Sequence, residues 1–478
     1  MENDKADIIV IGAGSGGLSV GLFLAKVGLK IIMIVRSEDE IGGECLNDGC
    51  VPSKAFIHAS HIIHSANRAK DFGLEVNGKA SIKKVLEYVH SRQETIREHE
   101  NAEWLSEQGV TLVTGVASFT GRHEVRVNET IYTAKKIIIA TGSKPRKLKV
   151  KGIEKTNYYD NENIFHIATL PKQLLVVGAG PIGIEIAQSM SRLGSQVTVI
   201  DTQSRILMHD EESMTQILLD RLKKEGITFY FNVSLQEFTS STEAVIKTKA
   251  NENIKIWFDA VFSSIGRELI LDPLKLENAG IKVSDNKIVI DKKLRTSNRD
   301  VMVCGDIAGD LQFSHAAEFH GRIILNNLFS PFSKKLNNDN MSWVTFSDPE
   351  LAAFGLNEKQ LKDRNIKYEK LENTFKDDDR AVTDNYTYSK SIMYVTQKGF
   401  LKKQKILGGT MIAPGAGELI QELILANSEG LSVNSIFNKI YPYPVASRIN
   451  QQLVLNYKEK SITETLKKIL RFTFKFFG

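Results

Sequence analysis

Cys45 and Cys50 are separated by four residues in the stretch Gly42-Gly-Glu-Cys-Leu-Asn-Asp-Gly-Cys-Val-Pro-Ser-Lys54, and Cys304 is the only other cysteine among 478 residues. One short turn of backbone lets two sulfurs at this spacing meet, and a disulfide that is strained or exposed is easily reduced. Gly42, Gly43 and Gly49 leave the backbone room for a close approach, and Pro52 suits the first turn of a helix continued by Ser53, Lys54 and Ala55. Cys50 would then lie near a positive helix end with Lys54 beside it, so its thiol is the candidate for a lowered pKa. Two buried free thiols, or half of a zinc site, are the competing readings. Zinc needs about four ligands, usually with tighter cysteine spacing, and no second cysteine pair exists. The redox reading is adopted because of what flanks the pair, and no metal site is assigned.

The flanking elements are two copies of one pattern. Ile8-Ile-Val-Ile11 is a short buried-strand run, Gly12-Ala-Gly14-Ser-Gly16-Gly17 follows, and Leu18 to Val27 reads as an apolar-periodic helix. Gly12, Gly14 and Gly17 match the G-x-G-x-x-G turn that receives a dinucleotide pyrophosphate at a helix N-terminus. Leu174 to Val177 opens a second such unit, with Gly178, Gly180 and Gly183 in the same spacing. The repeat weighs more than either copy: two dinucleotide folds imply two dinucleotides, with electrons passing from one through the other to sulfur. The second strand of the second unit ends at Asp201, a carboxylate suited to a ribose diol and repelling a 2'-phosphate, which favours NADH over NADPH, although Arg205 is nearby. In the first unit the equivalent place holds Val35 and Arg36, with Glu38 the nearest substitute.

Further along, Lys136 to Ala140 is a buried strand running into Thr141 and Gly142, Ala260 to Ile265 runs into Gly266, and Val301 to Val303 leads through Cys304 and Gly305 to Asp306. A strand ending in Gly-Asp offers backbone and a carboxylate to a polyol chain. His58, His61 and His64 recur at three-residue spacing on a helical stretch, and they are read as packing residues because no carboxylate stands among them. Lys83 to Gln108 reads as one charged helix. From Trp343 the chain turns to aromatic and β-branched strands, Ser391 to Val395 and Ile406 to Ile412, then a helix from Glu418 to Ser428, a separate α+β domain after a linker at 337–340.

A net charge of +5 spread along the chain marks no nucleic-acid surface, and the polar start at Met1 to Asp7 resembles neither a signal peptide nor a membrane span, so a cytoplasmic location is the default. In the tail, Ser461 with Glu464 reads as a capping box, with Ile462, Leu466, Ile469 and Leu470 on one face beside Lys467, Lys468 and Arg471. Packing on its own dimer is the preferred reading, and weak contact with a membrane surface the alternative.

These motifs together resemble the class I pyridine nucleotide-disulphide oxidoreductases over nearly the whole chain. The resemblance implies an α/β fold of two Rossmann-like domains and a C-terminal α+β dimerisation domain: FAD on 1–150 and 271–336, NAD(P) on 151–270, the interface on 341–460 and a tail at 461–478. It implies that Gly12, Gly14, Gly17, Gly43, Lys54, Thr141, Gly142 and Asp306 hold FAD, and that Gly178, Gly180, Gly183, Asp201 and Gly266 hold the nicotinamide nucleotide. Cys45 would exchange with the acceptor, Cys50 would contact the flavin, and Lys54 would pair with Glu185. Each site of the homodimer would be completed by the partner's C-terminal domain.

That completing segment departs from the family. Where dihydrolipoamide dehydrogenase and glutathione reductase carry His-Pro followed by Glu, this chain has Tyr443-Pro-Val-Ala-Ser-Arg448. A missing acid forfeits roughly a hundredfold or more of general catalysis, which makes an ordinary disulfide a poor substrate. Tyr443 and Asp379-Arg-Ala381 resemble the mercuric reductase branch, yet the chain has neither that branch's C-terminal cysteine pair nor its N-terminal metal-binding extension. The expected activity is NAD(P)H-dependent reduction of a small acceptor, a metal ion, a quinone or a disulfide, with a lipoamide-type reductase of altered acid and base as alternative. A redox-responsive binding protein docked by its tail is the competing class.

Overall fold

The computed structural model describes residues 5–399 and 403–478, so the polar start at 1–4 lies outside the described residues. Two compact units are formed, Met1–Thr202 with Ile227–Asn337, and Gln203–Gly226 with Asn338–Gly478.

The first unit contains two parallel-centred sheets. In the first sheet β1 (Lys5–Ile11), β2 (Ile31–Val35), β3 (Val110–Thr114) and β6 (Thr130–Ile139) run in the order β3-β2-β1-β6. Near-continuous apolar runs such as Ile-Ile-Met-Ile-Val in β2 are what a strand covered on both faces needs. β4 (Ala117–Gly121) and β5 (Glu124–Val127) extend the β6 edge antiparallel, and β5 alternates exposed and buried residues as a half-covered strand should. The strand Val301–Val303 adds in parallel to β6 on its way to Asp306. Fully buried Ile9, Ile32 and Ile137 sit in the core under this sheet, each contributing about 2 kcal/mol by burial.

Strand order reverses between β1 and β6, so the turns after them open a crevice at their carboxyl ends. Gly12, Thr141 and Asp306 all follow strands of this edge. The second sheet, in the order Thr228–Tyr230, Gln196–Ile200, Gln173–Val177, Ala260–Ser263, Tyr158–Tyr159, repeats the arrangement entirely in parallel. Here Gly178 and Gly266 follow the two strands that flank the reversal. An antiparallel sheet of Val233–Phe238, Glu243–Thr248 and Asn253–Trp257 lies in the same unit, and the sequence pattern signals only its middle strand.

The helices of this unit are α1 (Ser15–Lys26), α2 (Gly43–Asn47), α3 (Cys50–Arg68), α4 (Ile82–Arg97), α5 (Ala102–Glu107), α6 (Pro181–Leu193) and Ser314–Phe329. The single helix expected over Lys83 to Gln108 is in fact α4 and α5. Asn101 interrupts it by accepting the Trp104 amide at 2.9 Å and starting a new helix as N-cap.

The second unit holds a five-stranded antiparallel sheet in the order Ser342–Thr345, Glu350–Gly355, Ile406–Ala413, Lys390–Thr396, Tyr368–Thr374. The helix expected from Glu418 begins at Ala416 and breaks at Ile420, giving Ala416–Leu419 and Gln421–Ser428. The expected capping box at Ser461 is also corrected. Ser461 closes Ile449–Lys460, donating its hydroxyl to the Lys458 carbonyl, and Thr463 caps Glu464–Phe477 by accepting the Leu466 amide at 3.2 Å. Among the described residues no helix is long and apolar enough to cross a membrane.

Candidate active site

The redox stretch is folded onto the first glycine turn. The Gly42 amide donates to the Ala13 carbonyl at 2.9 Å, and a Cβ on Gly43, whose φ is +59°, would stand 2.6 Å from the Gly14 Cα. Only glycine permits this approach, which brings Cys45 on α2 and Cys50 at the first turn of α3 to the turn expected to receive FAD. From behind, α4 clamps α2: buried Gln93 donates to the Leu46 and Asn47 carbonyls at 2.9 and 2.8 Å, and Arg97 donates to the Asn47 side chain at 2.7 Å.

Both cysteines are free thiols in this structure, and they are unequal. A hydrogen bond from Cys45, another from Ser314 at 3.4 Å and the charge of Lys54 pull the Cys50 thiol down to about 6. The same hydrogen bond to Cys50, then burial, push Cys45 far up. Cys50 at a helix N-terminus is therefore the thiolate of the pair. Cys304 is buried, donates to the Ala317 carbonyl at 3.4 Å and is pushed up to about 12, an inert core residue.

Lys54 on α3 and Glu185 on α6 form an ion pair at 2.9 Å, with the carboxylate buried and the ammonium partly exposed. Their pairing joins the helix that carries Cys50 to the helix that follows the second glycine turn.

Four residues that the sequence reading passed over complete the site. Glu44, next to Cys45, is bound by both terminal nitrogens of Arg267. Arg267 also donates from Nε to the Ser143 hydroxyl at 2.6 Å, and Ser143 donates to Asp306 at 2.6 Å. Burial pushes the Glu44 carboxyl up despite Arg267. Burial, with the charges of Glu162 and Glu44, raises Asp48, between the cysteines, to about 6. Glu44 and Asp48 are visible in the sequence as acidic residues beside cysteines; Ser143 and Arg267 carry no local signal.

The two glycine turns are superimposable in kind. Gly12 and Gly178 both adopt φ +108°, and a Cβ on Gly17 or Gly183 would meet the carbonyl oxygen of Gly12 or Gly178 at 2.0 Å. By contrast, a Cβ on Gly142, Gly180 or Gly266 would have nothing within 4 Å, so these backbones face open space. Tight turns, helix N-termini, that open space and Asp306 fit a dinucleotide cofactor at the first sheet and a second at the other. Asp201 ends its strand as expected and accepts the Ala179 amide at 2.6 Å. Val35 is buried, Arg36 pairs with Glu40 at 2.7 Å, and Glu38 is exposed on the turn Glu38–Glu40.

Tyr443 belongs to the second unit. Its hydroxyl donates to Asp379 at 3.0 Å, its ring lies under the Arg448 guanidinium at 5.7 Å, and the Asp379 hydrogen bond raises its pKa. His58 and His61 are exposed on α3, His58 stacking on Tyr88. Among the described residues no three His, Cys, Asp or Glu side chains gather as a metal site would require.

The pyridine nucleotide-disulphide oxidoreductase model matches residues 6–321, and that family's dimerisation domain matches 341–453. The chain belongs to this family. Its members are FAD flavoproteins that use a pyridine nucleotide. A dihydrolipoyl dehydrogenase of Geobacillus stearothermophilus is 31% identical over 460 residues, 93% of this chain and 94% of the relative. A mercuric reductase of Lysinibacillus sphaericus is 28% identical, covering 93% and 81%. Among solved structures, the HOCl-induced flavoprotein disulfide reductase RclA from Escherichia coli superposes with a TM-score of 0.82 at 23% identity, covering 94% of this chain and 98% of that one.

Proposed function

We propose that this family member carries an electron pair from NADH by way of FAD to the Cys45–Cys50 disulfide, and that Cys45 delivers it to a small acceptor. The observation that carries the reading is the unequal thiol pair seated on the first glycine turn, with Lys54 and Glu185 beside it. FAD supplies the step between a two-electron hydride donor and a disulfide. Gly12, Gly14, Gly17 and Gly43 would hold its pyrophosphate side, Asp306 its polyol, and Thr141, Gly142 and Lys54 the remainder. Residues 1–150 and 271–336 form its domain in this reading, and 341–460 supply the homodimer face.

The chain's own groups then account for the thiol chemistry. Reduction of the disulfide takes up two electrons and yields the Cys50 thiolate and the Cys45 thiol, with the one proton held on Cys45. Lys54 and Ser314 stabilise the thiolate, and Cys45 holds the pair's proton, which passes along the hydrogen bond to the Cys50 sulfur as Cys45 attacks the acceptor. NADH is favoured by Asp201, and by Arg205 being committed elsewhere: its guanidinium donates to the carbonyls of Ile206, Leu207, Met208 and Asp210 and to the Thr215 hydroxyl. Relatives named dihydrolipoyl dehydrogenase and mercuric reductase match to a similar degree, so a disulfide and a metal ion are the first acceptor classes to assay, with a quinone as the third.

The test is anaerobic titration of the FAD-loaded protein with NADH. A long-wavelength absorbance band after two electrons, lost in Cys50→Ser and without acceptor turnover in Cys45→Ser, is the expected result. Direct bleaching of the flavin with no such band, and full turnover in both variants, would leave a flavin diaphorase instead.

A further inference from the structure

The last fourteen-residue helix, Glu464–Phe477, has no buried residue. Phe474 and Phe477 are 74% and 91% exposed, whereas the preceding helix Ile449–Lys460 buries Ile449, Leu453 and Val454 in the core of its unit. The sheet domain is thus closed by the earlier helix, and the dimerisation match ends at residue 453, before the tail begins.

At about 100° per residue, the tail separates its charged side chains from its apolar ones, with Thr465 and Thr473 on the apolar side. Lys467, Lys468, Arg471 and Lys475 fall on one side with Glu464, and Leu466, Ile469, Leu470, Phe472, Phe474 and Phe476 cover the rest of the circumference. Glu464 pairs with Lys467 at 2.7 Å, and the cations outnumber the acid. Thr463 caps the helix at its start, so the faces are set by a folded element rather than by pattern alone. A helix of this length reaches about 21 Å, short of the roughly 30 Å hydrocarbon core, and its cations bar it from that core. A narrow cationic strip beside a broad aromatic and aliphatic face suits the boundary between acyl chains and anionic headgroups.

We propose that Glu464–Phe477 is a surface anchor that lies in the plane of an anionic phospholipid bilayer, phenylalanine face in the acyl boundary and cations at the headgroups. Charge complementarity selects this occupant over a second copy of the chain, because anionic headgroups give Lys467, Lys468, Arg471 and Lys475 a counter-charge beside the apolar face, whereas the apolar face of a second copy offers them none.

The experiment is flotation of the full-length FAD-loaded protein with vesicles of phosphatidylglycerol and phosphatidylcholine, or of phosphatidylcholine alone, at low and high salt. Flotation with the anionic vesicles, weakened by salt, is expected. Leu470→Glu with Phe474→Glu, and separately Lys468→Glu with Arg471→Glu, should each lower vesicle affinity by at least about tenfold while NADH oxidation with a water-soluble acceptor and the sedimentation coefficient stay unchanged. Absence of flotation, equal flotation with neutral vesicles, or flotation undiminished in both variants would overturn the proposal. So would dissociation of a dimer in the Leu470, Phe474 variant, which would place the helix against its partner copy.

Discussion

At Cys50 the hydrogen bonds from Cys45 and Ser314 and the charge of Lys54 together pull the thiol down, and the direction of each contribution can be read separately. Lys54 lowers the thiol pKa and Glu185 raises it, although the two are paired to one another. In the two-electron-reduced protein the long-wavelength band should therefore titrate with the Cys50 thiolate, fading as pH falls through about 6 and complete above it. Asp48 also titrates near 6, and Asp48→Asn should leave the midpoint in place, since the band follows the sulfur. Lys54→Met should move the midpoint up and Glu185→Gln should move it down; a nearby charge is generally worth about 1–3 units. A midpoint that moves the same way in both variants would show that packing, not charge, sets the thiol. Lys54→Met also removes the ammonium that pairs with the buried Glu185 carboxylate, so its melting temperature should fall while that of Glu185→Gln falls less.

Elements place these residues, and the two glycine turns separate what is structural in them from what is open to a ligand. Gly17→Ala would drive a methyl group into the Gly12 carbonyl, and a preparation with little retained FAD and a lowered melting temperature is expected. Gly180→Ala projects into open space. It should fold and keep FAD while raising KM for NADH about tenfold or more, because in the proposed reading the methyl group lies where backbone meets the nucleotide. Unchanged NADH kinetics in Gly180→Ala would remove the second dinucleotide from this turn. These turns were legible in the sequence because strand, glycine spacing and helix are contiguous, and so were Cys45, Cys50 and Cys304. The Lys54–Glu185 pair came through family resemblance, since no local pattern joins residues 131 positions apart. Arg267 and Ser143 were missed because their contact with Glu44 and Asp306 exists only after three strand ends meet. The break at Asn101 and the cap at Thr463 were lost to hydrophobic periodicity, which runs through short interruptions that a side-chain cap exploits.

At the scale of the whole molecule, the electron path and the acceptor chemistry are expected to make different demands on assembly. Cys45, Cys50, Lys54, Glu185 and both glycine turns belong to one unit of one chain, whereas Tyr443, Asp379 and Arg448 belong to the unit carrying the dimerisation domain. In the proposed homodimer, flavin reduction by NADH should accordingly survive dilution to the monomer, while any turnover that depends on Tyr443 of the second copy should fall with the dimer population measured by sedimentation. Tyr443 is held as a neutral phenol, its proton already engaged by Asp379. If it supplies the proton that the family's histidine would give, Tyr443→Phe should lower acceptor turnover by roughly a hundredfold without slowing flavin reduction, the size of a lost general acid. Asp379→Asn, which frees the phenol of its acceptor charge, should instead lower the pH above which turnover declines. Equal turnover in wild type and Tyr443→Phe would make the tyrosine a packing residue and require the acceptor to bring its own acid. A disulfide that carries its own acid would meet that requirement, whereas a metal ion or a quinone would draw any proton from solvent, and the ranking of acceptors in the variant would then identify the class.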